Sequence, residues 1–140
     1  MRILVPTDGS ACALRAVKYA AKMDSGQGEK FITLLTVHDD AGLAHVRKYV
    51  PKGTVANYIR ELNDLALLSA REALDKAGVA HDMIMKTGHV AEEIVKIGKS
   101  GKFDLIVMGA KGRSKFGDLL VGSVAQNVIS VTKLPVTLIK

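Results

Sequence analysis

Apolar residues along this 140-residue chain fall into two rhythms that alternate from one end to the other. One rhythm is the unbroken run. Ile3-Leu4-Val5 is closed by Pro6, Phe31 to Val37 is apolar and β-branched, and Leu105 to Met108 is wholly apolar. Runs without polar alternation predict strands buried on both faces, as in the centre of a parallel sheet. His81 to Lys86 is less apolar and predicts a strand nearer an edge, while Pro135 introduces a last strand, Val136 to Ile139. The other rhythm has helical spacing. It places Leu14, Val17, Ala20 and Ala21 on the inner face of a helix over about 10–23, which Ser25 to Gly28 breaks. A longer helix, capped by Thr54 and terminated by Gly78, is expected to carry Val55, Tyr58, Leu62, Leu65, Ala66, Ala73 and Ala77 inward. A short helix over 91–99 shows Ile94, Val95 and Gly98 on one face and ends in Gly98 to Gly101; another spans 122–131. The polar connection 39–53 carries no readable pattern. Strand and helix alternate without a shift in composition, a repeat or a linker. That predicts one α/β domain over 1–140, an open and mostly parallel sheet with helices on both faces.

Composition narrows the class. The chain is 48% hydrophobic but 4% aromatic, with no Trp, so its core is aliphatic and stacked aromatics do not offer a nucleic-acid surface. A net charge of +6 suits an anionic partner. Lys and Arg are nevertheless spread over the whole length, which argues for a solvated basic surface and against a nucleic-acid groove. Cys12 is the single cysteine and forms no internal disulfide, which suits a reducing compartment. With no signal-peptide pattern after Met1-Arg2 and no apolar stretch near the ~18 residues of a membrane helix, the expected location is the cytoplasm.

The densest concentration of glycine needs a functional account. Gly109, Gly112, Gly117 and Gly122 fall within 14 positions, directly after an apolar strand, and Gly122-Ser123 then opens a helix. Such density marks positive φ angles or close approach of the backbone to something else. In open parallel sheets ligands bind beyond the carboxyl ends of the strands. Two segments occupy such positions: Pro6-Thr7-Asp8-Gly9-Ser10 after the first strand and 109–123 after the fourth. If those strands are neighbours, both loops face one crevice. The chemistry suits a polyphosphate. Backbone N–H groups at 109–112 can approach it without an intervening Cβ, and the helix at Ser123 presents free N–H groups and a positive dipole end. Ser123 adds a hydroxyl; Lys111, Arg113 and Lys115 add positive charge. Each piece has a plainer reading: a strand-to-helix turn, solvated loop charges, Ser123 and Asp8 as helix caps. It is the combination that points to a ligand.

Other chemistries are disfavoured. Gly112-x4-Gly117 has the glycine spacing of a P-loop, but Asp118-Leu119 stand where Lys and Ser/Thr are needed. No Gly-x-Gly-x-x-Gly fingerprint occurs, and Ser114 is one residue out of register for a hydrolase elbow. His38, His45, His81 and His89 lack zinc spacing. His38 follows a strand, where it either lines the crevice or, the favoured reading, lies at the surface, and Cys12 reads as a residue that packs rather than reacts.

Taken together, Gly109-x2-Gly112-x9-Gly122-Ser123, Ile3 to Ser10, Ala91-Glu92-Glu93-Ile94, Asp104 to Gly109 and Gly122 to Ala125 resemble the universal stress proteins, in their ATP-binding subgroup with the motif G-2x-G-9x-G(S/T). The resemblance spans nearly the whole chain. It implies an adenine nucleotide alpha hydrolase-like fold with strand order 3-2-1-4-5, which makes strands one and four neighbours. It implies that Pro6, Thr7 and Asp8 contact the adenosine end and that the backbone of Val37 reads the adenine. Met108, Gly109, Lys111, Gly112, Gly122, Ser123 and Val124 would hold the phosphates of ATP, with Mg or Mn; Arg113 joins them on charge grounds. Ala110-Lys111 departs from the Ser and His or Arg that many members carry. A homodimer through the C-terminal strand 136–139 is also implied, and an exposed apolar edge strand gives it a physical reason. The expected function is a dimeric ATP-binding sensor or adaptor in stress response, its protein partner unknown and no residue assigned to catalysis. The alternatives are a slow ATPase or phosphotransferase using the same site, and a nucleotide-free dimeric adaptor.

Overall fold

The computed structural model describes residues 1–39, 51, 53–112 and 121–140. Most of the 39–53 connection, and Arg113, Lys115 and Gly117 of the glycine-rich loop, lie outside the described residues. The described elements are β1 (Arg2–Pro6), α1 (Ala11–Lys22), β2 (Phe31–His38), α2 (Thr54–Lys76), β3 (Ala80–Thr87), α3 (Val90–Ser100), β4 (Leu105–Gly109), α4 (Ser123–Val131) and β5 (Val136–Ile139). The five strands form one parallel sheet in the order β3-β2-β1-β4-β5. Strands one and four are therefore neighbours, and the order reverses between them.

The unbroken apolar runs are explained by burial on both faces. Ile3, Val5, Ile32, Leu34 and Val107 project to one face, where Ala16, Val17 and Ala20 of α1 and Leu67, Ala70 and Leu74 of α2 cover them. Leu4, Leu35, Ile106 and Met108 project to the other, against Ala91 and Ile94 of α3 and Ala125 and Val128 of α4. Both layers are aliphatic, with Phe103 at the margin of the second. Strand β3 sits at an edge, as its weaker apolar character predicts.

Several local expectations are corrected. The inner face of α1 is Cys12, Ala13, Ala16, Val17 and Ala20, with Leu14 and Ala21 at its border. Small residues line this face because α1 lies close against β4 and needs little side-chain volume. On α2, the buried residues are Leu67, Ala70 and Leu74, whereas Tyr58 and Leu65 are 60% and 64% exposed and Ala77 is exposed. Those expected inward residues are apolar, but the helix is rotated so that another stripe meets the sheet. The side chains of Val55, Leu62 and Ala66 lie outside the described set. Gly53, with φ at 105°, holds the N-cap position of α2, and Thr54 is its first helical residue. Helix α3 ends within the expected stretch, at Ser100 with Gly101 as C-cap, and Gly98 lies on its buried face. A Cβ there would lie 3.2 Å from Leu134 Cδ1 and 3.5 Å from Ile106 Cδ1, so its bareness lets the helix approach the sheet.

Candidate functional site

Two chain segments meet at the carboxyl ends of β1 and β4. The first leaves β1 through Pro6, turns at Gly9 with φ at 77°, and enters α1 at Ser10. The Ser10 hydroxyl accepts from Ala13 N–H at 3.1 Å and so caps α1. Asp8 is not the cap: its Oδ1 accepts the Ser10 N–H at 2.9 Å, which leaves Oδ2 directed across the crevice towards Gly112. Thr7 is buried, and its backbone ties β1 to β2, N–H to Leu35 O at 2.8 Å and O from the Thr36 hydroxyl at 3.3 Å.

The second segment leaves β4 at Gly109. Ala110 N–H donates to Ile139 O at 2.8 Å, and Ala110 O accepts the Gly122 N–H at 2.7 Å. These bonds pin both flanks of the loop, so Gly122 is delivered to the start of α4 beside residues 110–112. The glycines have a reason in this packing. A Cβ on Gly109 would meet Cys12 Sγ at 3.1 Å and Ala13 N at 3.2 Å; on Gly122, Ala110 O at 3.3 Å; on Gly112, Asp8 Oδ2 at 3.2 Å. None of these three adopts positive φ. Close approach is thus the explanation, and what is approached is the protein's own backbone and side chains. Gly122 stands as N-cap of α4 without a side-chain bond, and the first-turn N–H groups of Ser123, Val124 and Ala125 have no intrahelical acceptor by position.

Between these segments lies a cavity of about 180 Å³. Its lining brings together Pro6, Thr7, Asp8, Val37, Met108, Gly109, Lys111, Gly112, Gly122, Ser123 and Val124. These are the site residues expected from the sequence, Arg113 apart. The sequence reading missed Ala13, Leu35, Val90, Ile94, Ala110 and Ala125, which complete the wall. Val90 was accessible to reasoning, because the start of α3 follows β3 at the same end of the sheet. Ala110 is buried with both backbone groups bonded, so its role is structural as well as lining. His38 does not line the cavity; it is half-buried at the end of β2, where its carbonyl accepts from Gly88 N–H. Cys12 is buried and its thiol donates to Ile139 O at 3.0 Å, a packing role. Chemically, the cavity offers apolar side chains together with N–H groups, a hydroxyl and a lysine.

The family model of the universal stress protein family matches residues 1–140. This chain belongs to that family. Universal stress protein MJ0531 of Methanocaldococcus jannaschii is 30% identical over 139 residues, covering 99% of this chain and 81% of the relative. The solved structure of MJ0577 from the same organism superposes with a TM-score of 0.85 at 29% identity, over 99% of this chain and 94% of that one. A family protein from Arabidopsis thaliana, solved with AMP bound, shares the fold with a TM-score of 0.67 at 18% identity, over 100% and 91% of the two chains. Among the described residues of this universal stress protein, no helix is long and apolar enough to cross a membrane.

Proposed function

We propose that this universal stress protein binds ATP in the crevice between β1 and β4 and works as a dimeric, nucleotide-dependent sensor or adaptor in stress response, in the cytoplasm. The observation that carries the reading is one cavity at the strand ends, lined both by apolar side chains and by polar groups that separate elements contribute. Leu35, Val37, Val90 and Ile94 suit a purine; Thr7 and Asp8 suit the ribose hydroxyls. Lys111, the Ser123 hydroxyl and the first-turn N–H groups of α4 suit phosphates, with Mg or Mn carried in on their oxygens. At about 180 Å³ the cavity is smaller than the roughly 300–1,000 Å³ of most ligand sites. It therefore encloses part of a nucleotide and not the whole.

Dimerisation through β5 has a backbone argument. Ile106 N–H donates to Pro135 O and Ala110 N–H to Ile139 O, so odd-numbered residues of β5 face β4. Val136 and Leu138 then turn their N–H and C=O groups to the open edge, where a two-fold mate would satisfy them. Leu138→Pro removes an outward donor without breaking the β4 ladder and should separate such a dimer.

The direct test is a melting scan with and without Mg-ATP. Binding to the native state at a hundredfold excess over Kd stabilises by about 2.7 kcal/mol. With an unfolding entropy of about 2.1 cal/mol/K per residue, that raises Tm by about 9 °C. No rise at millimolar Mg-ATP would overturn the proposal.

A further inference from the structure

Among the described residues, apolar surface is left uncovered at the sheet edge opposite β5. Leu65 and Leu68 of α2 are 64% and 52% exposed, and Met85 of β3 is 57% exposed with Met83 beside it. These four, with Leu67 at the base, line a groove of about 390 Å³ flanked by Asp64 and Arg71. Soluble monomers rarely leave such apolar residues contiguous, so the strip marks a contact surface.

The charges identify the occupant. Asp64 and Arg71 are seven residues apart, two helical turns or about 10.5 Å, on the same face of α2. Leu65 and Leu68 lie between them. The pattern acid, Leu, Leu, base reads as its own complement when a second α2 runs antiparallel. Asp64 of one chain then faces Arg71 of the other at both ends, and the two-fold axis passes between positions 67 and 68. The two Leu68 side chains meet near that axis, and Met83 and Met85, flexible and unbranched, fill the groove beside them.

We infer that α2 and the outer margin of β3 form an isologous interface with a second copy of this chain, distinct from the β5 edge. Surfaces at opposite edges of one sheet act together. If β5 also pairs, assemblies of four chains or more form; if it does not, the α2 interface alone gives dimers.

Sedimentation and native mass spectrometry of the 140-residue chain test this. Leu68→Glu should reduce a four-chain mass to two, Leu138→Pro should do the same from the other edge, and the two together should give single chains of 15.0 kDa. Should Leu138→Pro change nothing, the β5 reading fails while Leu68→Glu still converts dimers to monomers. Reversal of one charge, Asp64→Arg, should weaken this association by about tenfold. Adding Arg71→Asp should restore it, with circular dichroism and Tm of each variant near wild type because both side chains are exposed. Leu68→Cys should form an intermolecular disulfide under mild oxidation, whereas wild type, whose Cys12 is buried, should not. An unchanged mass in Leu68→Glu, or no disulfide in Leu68→Cys, would overturn the inference.

Discussion

Substituting Gly109 by alanine is a sharp test of how β4 and α1 fit together. A Cβ at this position would lie 3.1 Å from Cys12 Sγ and 3.2 Å from both Ala13 N and Cys12 C. Two of the three neighbours are backbone, so a rotamer change cannot clear the contact. Nor can α1 retreat freely. Its first turn is held by the Ser10 cap and by the Cys12 thiol on Ile139 O, and Arg15 Nε donates to Lys140 O at 2.8 Å. Overpacking of this kind destabilises by about 1–3 kcal/mol. Against that, replacing glycine at a φ that alanine can adopt restricts the unfolded chain and stabilises by about 0.4–1 kcal/mol. The net expectation is a loss of about 0.5–2 kcal/mol. For 140 residues the unfolding entropy is about 0.3 kcal/mol/K, so Tm should fall by about 2–7 °C. Thermal unfolding followed by circular dichroism, with urea midpoints at unchanged slope as a second measure, reads this directly. A Tm equal to or above wild type would refute the close-approach explanation, because entropy alone would then account for the position.

Among the described residues Gly112→Ala meets one flexible neighbour, Asp8 Oδ2 at 3.2 Å, so stability should hold within about 0.5 kcal/mol while the Mg-ATP rise in Tm shrinks. A full rise in that variant would show that Asp8 has no part in the site. Ser10→Ala removes the N-cap bond of α1 and should lower Tm by about 3 °C, equivalent to about 1 kcal/mol, measured without ligand. Leu74→Ala empties a fully buried position between α2 and the sheet and should cost about 2–5 kcal/mol in urea unfolding. Leu65→Ala, on the exposed side of the same helix, should cost a small fraction of that in a chain diluted to the monomer.

The sheet was legible because its strands are extreme. Ile3-Leu4-Val5 and Leu105 to Met108 have no polar face, and a strand buried on both sides is the arrangement that satisfies such a run. The long helix was legible in extent but not in rotation. Apolar residues at 58, 65, 67, 68, 70 and 74 cover more of its circumference than one sheet face can bury. Periodicity alone cannot choose between overlapping stripes, and the choice falls to Leu67, Ala70 and Leu74 because these fit against Ile32, Leu34 and α1. The same surplus is what remains exposed at the β3 edge. At the cavity, the positions marked by glycine and by strand ends were readable. Leu35, Ile94 and Ala13 were not, because their presence there depends on how deeply two helices approach the sheet.

The glycine spacing acquires a different physical meaning from this geometry. Gly109 admits α1, Gly122 admits the 110–112 backbone, and Gly112 admits the Asp8 carboxylate. Each is thus accounted for by contacts within the chain, before any ligand is considered. It follows that the spacing is evidence for a particular loop, one whose flanks are locked by Ala110 N–H to Ile139 O and Gly122 N–H to Ala110 O. Those two bonds also consume backbone groups that a phosphate would otherwise have used. On the proposed reading, affinity for phosphate comes from the next residues, the first-turn N–H groups of α4 with Ser123 and Lys111, which line the same cavity. Substitution at Gly122 should act on nucleotide binding through the position of the α4 terminus, and at Gly112 through the Asp8 carboxylate. Substitutions at Ser123 and Lys111 should act on it directly, through groups that line the cavity.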